Sequence, residues 1–473
     1  MKITVSNKRD FTEWGGLIPI VNELYGLGIP DLVDSAFETD KSRVEQCKYK
    51  FSDVVTSLIS SALCGGVRID NITGLKKELE LIPGLNIPSH DTMGRLMKQM
   101  ASKEKIKDVY QNDGLKKNYY DDNIRLNKLL IQISKKMGCF EEGKEYILDA
   151  DCTFINTRCA GAKSAEGIDQ FGFYPLVCFI GNFPIFFSNR NGNSSDRFRI
   201  AETIEMCINL LEEENIKIKM VRMDGAGYNT ALYSMLHEKN IKFLSTAPVN
   251  TSFKKMWRQI DDSSTWTDVK IETATSFKEC QICDIPYTMN DYDATFRVVI
   301  ARIPTENTIE ENETDEEKEF RLEIENKMQM IEKKGLLKTN DKRYISVFWK
   351  VRKSYKYKLF MTNDYISPAE DVIAQYNLRG DMEKQFSYMK QDFGWKWPPF
   401  KNMNENTVFF ILTAIANNVY RGFHKKFTKH IPEIELNARV NNFRKNFIKV
   451  LCYFLEDNSI EYRGTEIDFT KIC

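Results

Sequence analysis

Residues Tyr376 to Lys390 read YNLRGDMEKQFSYMK, and four of their side chains follow one another at spacings typical of one helix face. On a continuous α-helix, Tyr376, Arg379, Glu383 and Lys390 would fall within an arc of about 60°. A packed helix would carry Leu or Ile on such a stripe, and a solvated helix would scatter its charges. A carboxylate set among a phenol and two cations therefore indicates metal-assisted chemistry on a polyanion.

The ends of this helix are also marked in the sequence. Ser367-Pro368-Ala369-Glu370 has the form of a capping box, with Ser367 at the N-cap, Pro368 at N1 and Glu370 at N3. Gly394 and the following Pro398-Pro399 pair are typical of a helix stop. The pattern predicts one helix from about Pro368 to Asp392, with Glu383 well inside it.

Length and composition indicate a multi-unit globular protein. A chain of 473 residues is too long for one compact core, and two to four units are expected. The N-terminus lacks the apolar segment of a signal peptide. The most apolar helical run, Val408 to Ala416, has about half the length that a membrane span needs, so no membrane association is expected.

Cysteine usage favours a reducing compartment, because eleven cysteines show no framework spacing. Cys280 and Cys283 form a lone C-x-x-C, which reads either as a zinc half-site or as two ordinary strand or turn residues. The formal net charge is zero, but residues 305–335 are strongly acidic and residues 421–449 strongly basic. A neutral sum therefore does not exclude a basic surface for nucleic acid.

Two further acidic positions stand out in strand-like segments. The run 146–155, YILDADCTFI, alternates so that Asp149, Asp151 and Thr153 share one face. Aspartates are depleted inside strands, so this face is either a solvated strand edge or a functional site. Asp224 directly follows a predicted strand over 216–223 and precedes Gly225, a position at which α/β folds place their sites.

The order of predicted elements divides the chain into five regions. The fold class expected is α/β: a mixed sheet with helices on both faces, interrupted by a β-rich insertion and preceded by an all-helical region. Two of the N-terminal helices could form a helix-turn-helix with Arg95 and Lys98 outward, or an ordinary bundle. The regions are an all-helical N-terminal DNA-binding region (1–140), the first part of the core (141–248), the insertion (249–366), the second part of the core (367–420) and a basic helical C-terminal region (421–473).

Three carboxylates that converge on one point, here Asp151, Asp224 and Glu383, need cations to remain ionised together. Magnesium prefers one or two carboxylates with substrate phosphate, and a pair of such ions can clamp both oxygens of a phosphoryl displacement. Arg379 and Lys390 would then bind flanking phosphates.

These residues resemble the DDE transposases of bacterial insertion sequences, in the group whose third motif is Tyr-x2-Arg-x3-Glu-x6-Lys. The spacing of Tyr376, Arg379, Glu383 and Lys390 matches that motif. Further motifs are similar to those of the family along most of the chain: LDADCT (148–153), RMDGAGY (222–228), RNGN (190–193), LCGGVRIDNITGL (63–75) and PSHDTMGRLM (88–97).

The resemblance implies a ribonuclease-H-like core that performs metal-dependent DNA cleavage and strand transfer. It maps Asp151, Asp224 and Glu383 onto the catalytic, metal-binding triad, with Mg²⁺ or Mn²⁺, two ions, as the cofactor. Asp149 is the rival of Asp151, which is favoured because it adjoins Cys152-Thr153. The family has Ser or Thr at the position of Cys152. Residues implied to contact DNA are Tyr376, Arg379, Lys390, Arg190 and Asn193.

The expected function is therefore the transposase of an insertion sequence, acting as a homodimer on double-stranded DNA in the bacterial cytoplasm and associated with the nucleoid when bound. Alternatives are a ribonuclease-H-like nuclease without strand transfer and a transposase-derived DNA-binding protein. Trp257, Trp266 and Trp349 in the insertion either stack on a flipped base or pack in the core of the insertion.

Overall fold

The computed structural model divides the chain into two compact units, which are residues 1–241 with 379–473 and residues 242–378. The structure describes residues 11–37, 48–111, 114–159, 162–165, 168–247, 266–272, 277–289, 294–304, 355–431, 434–435, 438–455 and 459–472.

The first unit begins with helices whose apolar faces form its core. They are α1 (Leu17–Gly26), α2 (Ile29–Phe37), α3 (Phe51–Leu63), α4 (Ile72–Leu79) and α5 (His90–Gln99). Ser89 caps α5, since its hydroxyl accepts from the Thr92 N–H at 3.3 Å. The sequence pattern of 53–63, 71–81 and 89–100 predicts three helices, and these are confirmed within a few residues.

The prediction of an all-helical N-terminal region is wrong, because a β-hairpin follows these helices. Strands β2 (Lys105–Gln111) and β3 (Gly114–Asp121) pair with each other before α6 (Ile124–Lys136). Strand β3 also pairs with a core strand through Tyr120 and Asp121. The hairpin extends the core sheet, and pairing with distant residues explains why local periodicity missed it.

The sheet of the first unit carries Asp151 on one strand, and Asp224 directly follows another. Its strands are β4 (Glu145–Cys152), β8 (Leu176–Ile180), β9 (Phe183–Arg190) and β10 (Lys217–Met223), in the order β10-β4-β8-β9-β3-β2. Strands β4 and β10 are parallel, whereas β4, β8 and β9 pair antiparallel, so the sheet is mixed as predicted. Short strands β5 (Ile155–Asn156), β6 (Lys163–Ala165) and β7 (Ile168–Phe173) form a separate sheet.

Helices α7 (Ile200–Glu213) and α8 (Thr230–Glu238) flank β10 in the sequence, as the alternating pattern predicted. The longest helix, α11 (Met403–Phe427), is buried over most of its length. Among the described helices, none is both long and apolar enough to cross a membrane.

The second unit, residues 242–378, is rich in strands; the β-rich insertion was predicted over 249–366. Its strands are β11 (Lys242–Ala247), β12 (Thr267–Glu272), β13 (Phe277–Thr288), β14 (Thr295–Pro304) and β15 (Tyr355–Thr362), and helix α9 (Ala369–Asn377) belongs to the same unit. The strand predicted over 344–351 lies outside the described residues, as do Trp257 and Trp349. Cys280 and Cys283 are free and buried in β13, as ordinary strand residues.

The single helix predicted from Pro368 to Asp392 is divided in two. Helix α9 ends at Asn377, a 3-10 turn covers Leu378–Gly380, and α10 (Asp381–Asp392) follows. Gly380, a weak helix former, lies at the break. The stop after Asp392 is confirmed, but the capping box is not, since the Ser367 hydroxyl donates to Asp364 and Pro368 occupies the N-cap.

The sequence predicts a helical region over 421–473 with a short strand-like tail at 460–469; the structure has a strand in that tail and a further strand before it, which was missed. A short helix α12 (Val440–Phe443) and a π-helical turn (Arg444–Ile448) precede strands β16 (Leu451–Phe454) and β17 (Ile460–Arg463). Strand β16 pairs with β1 (Phe11–Thr12), so the two ends of the described chain meet in one small sheet.

Candidate active site

Two of the three candidate acids lie at the same edge of the sheet. Asp151 is near the carboxyl end of β4, and Asp224 directly follows β10, the parallel neighbour of β4. The carboxyl ends of adjacent parallel strands meet at one edge, which is the usual place for an active site in α/β sheets. Asp224 is fixed there because its carboxylate accepts the Ala226 N–H at 2.9 Å.

The environment of Asp151 resists its ionisation. Burial raises the pKa of its carboxyl to about 6, with the neighbouring Asp224 carboxylate acting in the same direction. Arg379 opposes this rise, since its Nη2 lies 2.7 Å from the Asp151 Oδ2, and the Cys152 N–H donates to Oδ1 at 2.8 Å. Asp151 thus has one guanidinium partner and a second carboxylate nearby, an arrangement in which a bound cation would be favourable.

Asp149, the rival of Asp151, is already engaged. Arg222 donates to both of its carboxylate oxygens, at 2.8 and 2.7 Å, and both side chains are buried. The parallel register places Arg222 directly beside Asp149. Such a bidentate pair leaves Asp149 little capacity for another cation. The sequence signal for Arg222 was a charged residue among the apolar Met220, Val221 and Met223 at the end of the strand, and its role as partner was missed.

Glu383 does not join the acidic pair in this structure. It is exposed in the first turn of α10. Within the described ranges, no three His, Cys, Asp or Glu side chains are grouped so that they could hold a metal ion. Arg379, in the 3-10 turn just before α10, is the residue of this segment that reaches Asp151.

The break in the helix also separates the predicted stripe. Tyr376 lies on α9 in the second unit, where its buried ring packs at 5.2 Å from Phe360 and under the Lys358 ammonium at 4.5 Å. Lys390 lies in the last turn of α10, half-buried, and burial lowers the pKa of its ammonium. Only Glu383 and Lys390 therefore share one regular helix.

Arg190, predicted to contact DNA, is fully buried in this structure. Its guanidinium donates to the carbonyl oxygens of Tyr174 at 3.1 Å and of Phe198, and to the Cys152 Sγ at 2.7 Å. The Asn193 side chain accepts a hydrogen bond from Asn191 within the same loop. Here Arg190 braces the strand end beside Asp151 and does not offer its guanidinium to a ligand.

Cys152 stands where the similar family motif has Ser or Thr, and its surroundings keep the side chain protonated as a thiol. Burial raises its pKa to about 12, although the Arg190 guanidinium opposes the rise. The thiol therefore accepts the guanidinium hydrogen bond without competing for a cation at Asp151.

The mixed sheet and its acidic edge define a class of α/β proteins with a carboxylate site, and comparison with known proteins gives the family. A family model described as "Transposase DDE domain group 1" matches residues 9–313. The chain belongs to this family of DDE transposase domains. The matched range includes Asp151 and Asp224 and ends before Glu383.

Among solved structures, the chain is similar to one described as "Cryo-EM structure of piggyBac transposase synaptic complex with hairpin DNA". The TM-score is 0.40 and the identity 9%, and the match covers 93% of this chain and 82% of the other. No curated protein matches the chain.

Proposed function

We propose that the chain is the transposase of an insertion sequence. It binds the ends of its element and catalyses metal-dependent strand cleavage and strand transfer in cut-and-paste transposition. Membership of the DDE transposase domain family supports the proposal. The observation that carries it is the pair of carboxylates, Asp151 and Asp224, at the ends of adjacent parallel strands.

The donor set fits a hard divalent cation. Asp151 and Asp224 supply oxygen ligands, and magnesium needs only one or two carboxylates when water and substrate phosphate complete its shell. Burial raises the pKa of Asp151 and the neighbouring Asp224 carboxylate adds to the rise, so a bound cation would favour the ionised form. Mg²⁺ or Mn²⁺, as two ions, would supply Lewis-acid activation of the attacking and leaving oxygens. Asp151, Asp224 and, as proposed third ligand, Glu383 would hold them.

The cationic residues of this segment would then act on DNA. Arg379 neutralises Asp151 in the free protein, and a phosphate at the site offers its guanidinium an alternative anionic partner. Lys390 is half-buried, and its lowered pKa means that a phosphate partner would stabilise the charged form. DNA contact is also proposed for Tyr376, Arg190 and Asn193. It requires a rearrangement of the protein, because Tyr376 and Arg190 are buried here.

A homodimer on double-stranded DNA is the proposed assembly, because both ends of an element must be held together during excision. The described cysteines are all free, which supports a reducing compartment such as the bacterial cytoplasm, with nucleoid association when DNA is bound.

The test uses purified protein and labelled DNA that carries the element's own ends, with Mg²⁺ and with a chelator. Metal-dependent nicking at the end, followed by joining to a target plasmid, is the expected result. Asp151→Asn, Asp224→Asn and Glu383→Gln should each abolish cleavage and keep DNA binding. Cleavage without joining would favour the nuclease alternative, and binding without cleavage under either metal would favour the DNA-binding alternative.

A further inference from the structure

A groove separate from the acidic pair lies in the first unit and has a volume of about 960 Å³. Its lining comes from residues 68–70, the exposed side of α5 and the segment 396–400, together with Asn156 and Thr157. The last two residues follow β4, and the segment 396–400 follows α10. This groove is called the Trp397 groove. Some of its lining segments therefore come soon after the strand that carries Asp151 and the helix that carries Glu383.

Trp397 is presented on this groove by a well-anchored neighbour. Trp395 is fully buried, and its indole N–H donates to the Phe410 carbonyl at 3.2 Å and to the Thr413 hydroxyl at 3.0 Å. Two residues later, Trp397 is 44% exposed. The Arg68 guanidinium lies over its ring, 4.5 Å from the centroid. An exposed indole with cations close by is typical of a surface on which a base can stack.

The groove is also basic, and three of its cations lie over aromatic rings, Arg68 and Lys396 over Trp397 and Lys98 over Phe400. Arg95 and Lys98 are one helical turn apart on α5 and both are exposed. Within the part of the chain that the structure describes, none of the groove's four cations, Arg68, Arg95, Lys98 and Lys396, takes part in an ion pair. Two acids, Asp70 and Asp91, also line the groove, and Asp91 lies 3.3 Å from the His90 ring nitrogen.

The basic stretch 421–449, in contrast, uses most of its charge inside the protein. Arg421 is buried against Asn417, and Arg444 donates to the Leu63 carbonyl at 2.7 Å. Four more of its cations form ion pairs within the first unit, namely Lys425 with Glu141, Lys426 with Glu23, Arg439 with Asp392 and Lys449 with Glu13. The stretch 421–449 therefore offers an anionic partner less positive charge than its composition indicates.

We infer that the Trp397 groove binds a single DNA strand, with Trp397 stacked on an unpaired base and the four cations on the phosphates. A duplex presents only base edges in its grooves, so the face of an indole finds a partner in a strand that is already unpaired. The inference rests on the proposed function, which opens the DNA at the cut end and so produces such a strand. It adds a binding site that the acidic pair does not require.

The test measures binding of fluorescein-labelled oligothymidine and of a blunt duplex by full-length protein, using anisotropy at several salt concentrations. Trp397→Ala should weaken oligothymidine binding about tenfold, and Trp397→Phe should recover part of the loss, because any aromatic ring can stack. Arg95→Gln should reduce the slope of log affinity against log salt by about 0.7. The control Lys445→Gln removes an exposed cation outside the groove and should leave the slope nearly unchanged.

The inference is overturned if Trp397→Ala binds oligothymidine as wild type does, or if Lys445→Gln lowers the salt slope as much as Arg95→Gln. In either case, metal-dependent cleavage of element ends would leave the proposed function intact. If the protein binds neither DNA form, both the inference and the proposed function are wrong.

Discussion

Asp149 and Asp151 lie two residues apart on one face of β4, yet their partners give them different roles. Asp149 is held by Arg222 within the sheet, and this pair is buried on both sides. Asp151 faces Asp224 and the single guanidinium of Arg379. Side-chain alternation along β4 places both aspartates on one face and so cannot distinguish their roles. The register with β10 does distinguish them, because it places Arg222 beside Asp149.

Exchanging each aspartate for asparagine should separate the two roles. Asp149→Asn leaves Arg222 buried without its counter-ion, so we expect the free energy of unfolding to fall by about 3 kcal/mol. Asp151→Asn should abolish cleavage with little loss of stability. Urea unfolding and a cleavage assay on the same preparations measure both effects. If Asp149→Asn were stable and inactive while Asp151→Asn cleaved DNA, the assignments would have to be exchanged.

A third aspartate, Asp121, gives a pH-dependent stability. It is buried, and burial raises the pKa of its carboxyl from 3.8 to about 6, against hydrogen bonds from Ser102 and the Asn123 N–H. Between these two pH values the folded state holds a proton that the unfolded chain has lost. The free energy of unfolding therefore falls as pH rises from about 4 to 6, by about 3 kcal/mol for this group.

The substitution Asp121→Asn should remove that dependence. Relative to wild type, the variant should gain stability as pH rises through this window and then keep a constant advantage up to neutral pH. Thermal unfolding at several pH values measures the difference. A wild-type and variant pair whose stabilities run parallel from pH 4 to 7 would contradict the buried, protonated state of Asp121.

At the scale of elements, the RNGN motif (190–193) at the end of β9 stabilises the fold through its first residue. Arg190 was predicted to contact DNA, but its guanidinium donates to three backbone carbonyls and to the Cys152 Sγ inside the fold. We expect Arg190→Gln to lower the melting temperature and to reduce cleavage, because the strand end that carries Asp151 loses its brace. A variant of wild-type stability with weakened DNA binding would instead support the direct contact.

The elements themselves could be predicted where local pattern and tertiary packing agree. The start of α5 near Ser89, the Gly181-Asn182 turn between β8 and β9 and the stop at Gly394 can each be predicted from a short stretch of sequence. The hairpin β2–β3 was missed because its pairing with β9 lies outside any local window. The helix through Glu383 was drawn as continuous because spacing alone does not report the 3-10 turn at Leu378–Gly380.

Two glycines beside α10 test how tightly its ends are fixed. Gly394 has φ +80°, and a Cβ there would collide with the Val67 carbonyl oxygen. Gly380 has an ordinary helical φ of −56°, and a Cβ there would meet nothing within 4 Å. Gly394→Ala should destabilise the protein by about 1–3 kcal/mol, while Gly380→Ala should be neutral or stabilising by up to about 1 kcal/mol. Equal melting temperatures for the two variants would contradict the close approach at Val67.

At the scale of the whole molecule, the acidic site is assembled from distant parts of the chain. Asp151 and Asp224 come from the segment before the second unit, and Arg379 and Glu383 from the segment after it. Sequence spacing could identify the three acids as candidates. It could not show that the Arg379 guanidinium, from the later segment, pairs with Asp151 in the earlier one. The charge around Asp151 therefore depends on Arg379, which follows the second unit in the sequence.

This dependence can be measured without DNA. Mn²⁺ binds the folded state and should raise the melting temperature of wild-type protein, since only the folded state assembles the two carboxylates. Arg379→Ala removes the cation at Asp151, so the two carboxylates should bind Mn²⁺ roughly tenfold more tightly. Asp224→Asn should bind it more weakly. Arg439→Ala, which breaks an ion pair with Asp392 in the same unit, is the matched control and should respond to Mn²⁺ as wild type does. If Arg379→Ala gained no affinity and Asp224→Asn lost none, the cation site would lie elsewhere and the carboxylate pair would have a purely structural role.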